Sequence, residues 1–217
     1  EIQFFDRQSS TFQFNFYSLA HYRDPGAWYH MVAAVDTTQA TASNRIKLYV
    51  NGVQETSLST ATYPNQNIDT SVNSTAYVHI VGSRAADSSG KYFDGSMSHV
   101  HFCDGTAYNP TDFGETDSTT GEWKIKTSPS VSYGTDGFFI LKDGNSVTDQ
   151  SGQSNNLTVG YGTLTKTEDN PSNVFATLNP LVNNAGEMML LTNGNTSCQS
   201  NAAQGNSWKL AVSTLGM

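Results

Sequence analysis

Residues Trp28 to Gln54 read "WYHMVAAVDTTQATASNRIKLYVNGVQ". In the second half Ile46, Leu48 and Val50 alternate with Arg45, Lys47 and Tyr49. A period of two puts the apolar set on one face of an extended strand and the polar set on the other. Asn51-Gly52 follows directly, and this dipeptide favours the tight turn whose twist matches two antiparallel strands. "WYHMVAAVDT" also alternates and supplies a strand before it. The stretch therefore predicts β-sheet with one buried face.

The same grammar continues on either side. "EIQFFDR" and "TFQFNFYSL" are two strand patterns joined by the turn "QSS". "AYVHIVGSR", "YFDGSMSHVHFCDG", "FFILKDG" and the segment after "DQSGQSNN" add strand signals, with Gly, Asn and Asp between them. "YNPTDFGE" contains Pro-Thr-Asp, which opens a short helical turn. No segment keeps a helical period over three turns. Strands at this spacing predict an all-β, antiparallel two-sheet sandwich.

Composition agrees. Of 217 residues 36% are hydrophobic and only 14% charged, so much of the chain is uncharged polar. The 11 Phe, 10 Tyr and 3 Trp are enough to fill a core, which argues against disorder. A net charge of −8 with no basic cluster excludes nucleic acid as the expected partner. No apolar run approaches the roughly 20 residues a membrane helix needs. Cys103 and Cys198 lie far apart and are not a disulfide framework. Cys103, within an apolar strand pattern, is expected as a buried thiol.

Five blocks, in order, carry a family resemblance: "WYHMVAAVDTTQATASNRIKLYVNGVQ", "YVHIVGSR", "KYFDGSMSHVHFCDGTAYNPTDFGE", "GFFILKDG" and "DQSGQSNNLTV". Together they resemble the laminin-G-like, concanavalin A-like jelly-roll domains. The version they are most similar to is found in large virion proteins of tailed phages of the cyanophage type. The resemblance implies a jelly roll over 1–165, lacking its first strands, a linker over 166–181 and the start of a second β domain or strand extension over 182–217. It implies a piece of a longer chain, or one whose sheet edges are covered by neighbouring subunits. A virion structural role follows as an expectation: a fibre, spike or capsid decoration on the particle surface. Such a protein self-associates, as a homotrimer if it is a fibre, or packs on other virion proteins. A free-standing lectin-like extracellular module is the alternative, and a glycoside hydrolase the third reading.

Glycan recognition combines a stacking aromatic with amide and carboxylate partners. Two predicted loops have that mixture: "TYPNQNID", with Tyr63, Asn65, Gln66 and Asn67, and "ADSSGKY", with Asp87, Lys91 and Tyr92. These seven residues are the candidate carbohydrate contacts for a host-surface glycan. No cofactor is expected; calcium is the ion a jelly-roll rim would take, with Asp69, Asp87 and nearby Asn as ligands.

Catalysis is not expected. Asp94, Asp104, Asp112, Glu115 and Asp117 raise the glycosidase question, since a retaining hydrolase needs two carboxyl groups about 5 Å apart. The glucanases that share the jelly roll resemble E-x-D-x(x)-E on one strand, and this chain has no such triplet. His99 and His101 stand two apart, as chelating imidazoles can, with His79 as a third donor on a neighbouring strand. The plainer reading has Val100 and Phe102 facing the core and assigns no metal.

Overall fold

The structure is a computed structural model, and it describes residues 1–24, 27–83, 92–142, 146–160, 162–167, 171, 178, 189–192 and 197–200. Two compact units divide the chain. One comprises Glu1–Tyr22 and Tyr29–Gly162; the other comprises Arg23–Trp28 and Thr163–Met217.

The first unit begins with a hairpin, β1 (Gln3–Gln8) and β2 (Thr11–Ser18). Only Ser9 and Ser10 join them, with φ of 44° and 71°. A two-residue turn with both central φ positive is the kind that follows sheet twist. Serine pays the steric cost of left-handed backbone, about 1 kcal/mol per residue. Ser10→Gly is therefore expected to raise stability by about 1 kcal/mol, seen as a higher thermal midpoint.

β3 (Met31–Val35), β4 (Ile46–Val50) and β5 (Val53–Gln54) form an antiparallel sheet in that order. A single 3-10 turn, Ala42–Asn44, precedes β4. β6 (Leu58–Thr62) returns to the first sheet, giving the order β1-β2-β6. The inner faces of these two sheets build one core. Phe14 and Phe16 of β2 and Ile46 and Leu48 of β4 are buried together, flanked by Phe4, Val35, Leu58 and Tyr63. That is the apolar set the period-two pattern in β4 demanded. The fold is all-β and antiparallel, and its sheets pack face to face as a sandwich.

Asn51 and Gly52 make the β4–β5 turn, with φ of 48° and 80°. Gly52 has a second role. A Cβ there would stand 2.3 Å from the Trp123 ring, and one at Gly114 would stand 2.5 Å from it. Trp123 thus lies where two glycines leave room. Its indole N–H donates to His30 Nδ1 at 2.9 Å, and the two rings stack with centroids 5.8 Å apart.

β7 (Val100–Phe102), helix α1 (Pro110–Phe113), β8 (Gly114–Thr116), β9 (Trp123–Ile125) and β10 (Phe138–Ile140) complete this unit. β7 pairs with β10, and β8 with β9. The helical turn expected at Pro-Thr-Asp is α1, closed by a reciprocal box between Asn109 and Asp112. A second apolar centre gathers here, with Phe113, Tyr133, Phe139 and Ile140 all buried.

The sequence "DQSGQSN" is a knot behind β10. Asp149 accepts hydrogen bonds from the Phe139 N–H (2.8 Å), the Ser151 N–H (2.9 Å) and hydroxyl (2.7 Å), and the Asn155 N–H (3.0 Å). Asn155 Nδ2 donates to the carbonyls of Thr135 and Gly137, each at 2.8 Å. Gly137 is fixed by crowding, because a Cβ would meet Tyr133 O at 1.9 Å.

Not every strand signal becomes a strand. Tyr77 to Val81, the centre of "AYVHIVGSR", is exposed and, among the described residues, unladdered; an isolated bridge between Ser83 and Tyr92 follows it. β-propensity favours strand there, but a strand exists only with a neighbour to bond. The pattern at Leu157–Val159 likewise forms no strand. Trp28 is half-buried ahead of β3, which starts at Met31.

In the second unit, β11 (Met189–Thr192) and β12 (Ser197–Ser200) form an antiparallel hairpin.

Candidate functional site

The rim loop after β6 holds four of the expected contact residues. Tyr63 turns inward, its ring edge-on to Phe16 at 5.0 Å, and packs on the core. Asn65, Gln66 and Asn67 are exposed. Their loop is pinned to the turn after β3: Gln66 Nε2 donates to Thr38 O at 2.9 Å and the Asn67 N–H to Thr37 O at 2.8 Å. Arg45 binds the whole corner. Its Nε donates to Gln39 O, one terminal nitrogen to Ala40 O and the other to Pro64 O, all within 2.9 Å. Asp36 caps the same turn. Its carboxyl lies below the usual range because the Thr38 hydroxyl and the Gln39 amide donate to it. Asp87 and Lys91 of the second expected loop lie outside the described residues. Tyr92 is 47% exposed. Of the expected calcium ligands, Asp87 again falls outside, and Asp69 is exposed with its carbonyl accepting from Gln8.

Of the acids in the 94–117 stretch, Glu115 lies on β8, while Asp104, Asp112 and Asp117 have contacts that hold caps and loops. Asp112 caps α1. Asp117 accepts from the Thr119 and Thr120 N–H groups and pairs with Lys124 at 2.8 Å. Those contacts hold its carboxyl well below the normal range. Asp104 accepts from Asn73 Nδ2 at 2.9 Å, and the same amide reaches Asp136 at 3.4 Å.

His101 and His30 are packed side chains, whereas His21 and His79 are exposed. His101 stacks on Phe139 with centroids 4.0 Å apart, lies beside Phe113, and joins Tyr133 through Nδ1 and the phenol at 2.9 Å. Burial, with the fields of His99 and His30 added, lowers its pKa to about 4. His79 stands by Phe102, a side chain that alternates to the opposite face of β7 from His101. Among the described residues no three His, Cys, Asp or Glu side chains gather as a metal set. Cys103 is half-buried, and burial raises its thiol to about 11.

A further surface was missed in the sequence. On β1 the inward side chains are Phe4 and Asp6, so Gln3, Phe5 and Arg7 face outward. On β2, Asn15 and Tyr17 share that outward face. A register shift after Asp6, which pairs with Phe14 while Arg7 pairs with Phe12, leaves Gln13 as the extra residue. Such a bulge re-aims the side chain beside it. Phe12 thereby joins the outer face. Its ring lies T-shaped to Phe5 at 5.7 Å, and the Arg7 guanidinium sits 5.6 Å above it. Phe5 and Phe12 are 38% and 42% exposed, a large apolar pair left open on a sheet. Around them stand amides and hydroxyls in register. Gln3 donates to the Tyr17 hydroxyl. Thr62 and Thr60 of β6 lie across from Asn15 and Tyr17. Asn15 Oδ1 is the one buried side-chain polar atom without a partner among the described residues. The sequence sign was an extra phenylalanine in "TFQFNF", which strict alternation assigns to the core.

No helix among the described residues is long and apolar enough to cross a membrane. No curated protein and no solved structure matched the chain. Residues 2–112 match a laminin-G-type family described as the concanavalin A-like lectin/glucanases superfamily. That span covers both sheets of the sandwich, the rim loop and the Phe5–Phe12 face, and the family includes lectins and glycosidases alike. On this match, over half of its length, the chain belongs to the concanavalin A-like lectin/glucanases superfamily.

Proposed function

We propose that this chain is a non-catalytic carbohydrate-binding domain, carried on a virion surface protein such as a fibre, spike or capsid decoration. The observation that carries the carbohydrate reading is the exposed Phe5–Phe12 pair, set among amides and hydroxyls on one face of a three-stranded sheet. Sugar rings present axial C–H groups to aromatic faces, while their hydroxyls exchange hydrogen bonds with amides. The exposed amides of Asn65, Gln66 and Asn67 add a second polar patch on a tied-down loop. Family membership supports the ligand class. The absence of an acid triplet on one strand, and the use of Asp112 and Asp117 as caps, favour binding without turnover.

The virion setting rests on the order of the five sequence blocks. It implies self-association, as a homotrimer in a fibre, and a host-surface glycan as the target. The free-standing lectin reading shares the binding face and differs in assembly. Native mass of the full-length protein separates the two: a closed oligomer supports the virion reading and a monomer supports the lectin.

A glycan array with the intact protein tests the binding. Phe12→Ala is expected to weaken the best glycan on the order of tenfold, matching the loss of about 1.4 kcal/mol of ring stacking. Glycosidic turnover of any arrayed sugar, or binding unchanged in both Phe5→Ala and Phe12→Ala, would overturn the assignment.

A further inference from the structure

The outer face of the β1-β2-β6 sheet has an unusual charge pattern. The chain carries 19 acidic and 11 basic residues. Yet β1, β2 and β6 contain a single acid, Asp6, and it is turned inward and 5% exposed. There it accepts hydrogen bonds from Gln8 Nε2 and the Ser71 N–H. The single base of these strands, Arg7, is exposed on the outer face. Among the described residues its guanidinium makes no ion pair or hydrogen bond; its contact is with the Phe12 ring. A cation held against an aromatic face keeps its fork of N–H donors pointed outward and pays little to order it.

From this arrangement we infer that the Phe5–Phe12 face takes an acidic glycan, one whose sugars carry carboxylates, with Arg7 pairing the carboxylate. This deepens the carbohydrate reading above and rests on it. The ring pair holds the sugar ring, Gln3 on the same outer face offers an amide to neighbouring hydroxyls, and the guanidinium fork matches a planar carboxylate bidentately. A net negative protein repels such a ligand at long range. Strands that carry no outward acid, with an arginine that is unpaired among the described residues, are the arrangement that admits one.

The probe is a uronic-acid oligosaccharide, compared with the same oligosaccharide after reduction of its carboxyls to primary alcohols. Isothermal titration with the intact protein at low ionic strength is expected to give roughly fivefold tighter binding of the uronate, the scale of one exposed charge-assisted pair. Added salt should erase the difference. Arg7→Gln should abolish the preference for the uronate over the reduced oligosaccharide, with an unchanged far-ultraviolet spectrum. Equal affinity of the wild type for both oligosaccharides overturns the inference and leaves the carbohydrate reading standing. So does a preference that survives Arg7→Gln, or tighter binding of a sulfated oligosaccharide than of the uronate. Failure of every sugar on the array to bind overturns both.

Discussion

Asp149→Ala is expected to destabilise the fold by about 3 kcal/mol, the largest single-residue effect outside the hydrophobic core. The side chain accepts four hydrogen bonds, and one comes from the buried strand residue Phe139. Bonds to a charged acceptor contribute about 1.5–3 kcal/mol each, and water replaces some of them once the carboxylate is gone. The Phe139 N–H is the one water reaches least. Urea unfolding at neutral pH checks the figure; a loss below 1 kcal/mol would mean that the knot closes without its acceptor. Ser151→Ala removes the hydroxyl's bond to Asp149 and the one it accepts from the Gln153 N–H, while the backbone donors to Asp149 stay, and about 1 kcal/mol is expected there. Burial pushes the Asp149 carboxyl up, but the donors from Phe139, Ser151 and Asn155 together pull it below its ordinary value. A carboxyl depressed in the folded state stabilises above its unfolded pKa. That contribution is lost as pH falls from there through the folded value.

The second large effect is acid sensitivity set by His101. Its folded pKa is about 4, lowered by burial and by the fields of His99 and His30. An unfolded histidine takes a proton near pH 6.5, whereas the folded one resists until near pH 4. The neutral imidazole is therefore worth its full stability above pH 6.5, and this declines as pH falls toward 4. Two and a half pKa units amount to about 3 kcal/mol. His30 shifts in the same direction because of burial and steepens the decline. Urea midpoints at pH 7.5 and at pH 4.5 should differ accordingly. His101→Gln keeps a partner for the Tyr133 hydroxyl but cannot titrate, so the gap between the two pH values should shrink by more than half. An undiminished gap would place the sensitivity elsewhere.

Local grammar was legible where the physics is local. Asn51-Gly52 named its own turn, and Ile46, Leu48 and Val50 named the buried face of β4. The helical turn at Pro-Thr-Asp could be read because its opening signal lies in adjacent residues; the Asn109–Asp112 box that closes it came with the structure. Three features were hidden, each for a long-range reason. Tyr77–Val81 has strand-forming residues but no ladder among the described residues, and pairing is not written in a strand's own composition. Tyr63 was read as a sugar platform from its loop neighbours, while the structure turns its ring to Phe16, 47 positions away in sequence, and packs it on the core. The Phe5–Phe12 face depends on one extra residue in β2, which breaks the count of two that the reading relied on. The D-x-S-G-x-x-N motif looked like a turn. It is one, but its purpose lies in the contacts that reach back to Phe139, Thr135 and Gly137.

Arg45 holds three carbonyls from two separate corners of the chain. A guanidinium does not discharge at any pH a protein survives, and its partners here are peptide dipoles that brine screens poorly at contact distance. The corner bearing Asn65, Gln66 and Asn67 should therefore keep one shape from fresh water to sea salt. A lysine in that position could reach only one or two of the three oxygens, and the corner would loosen.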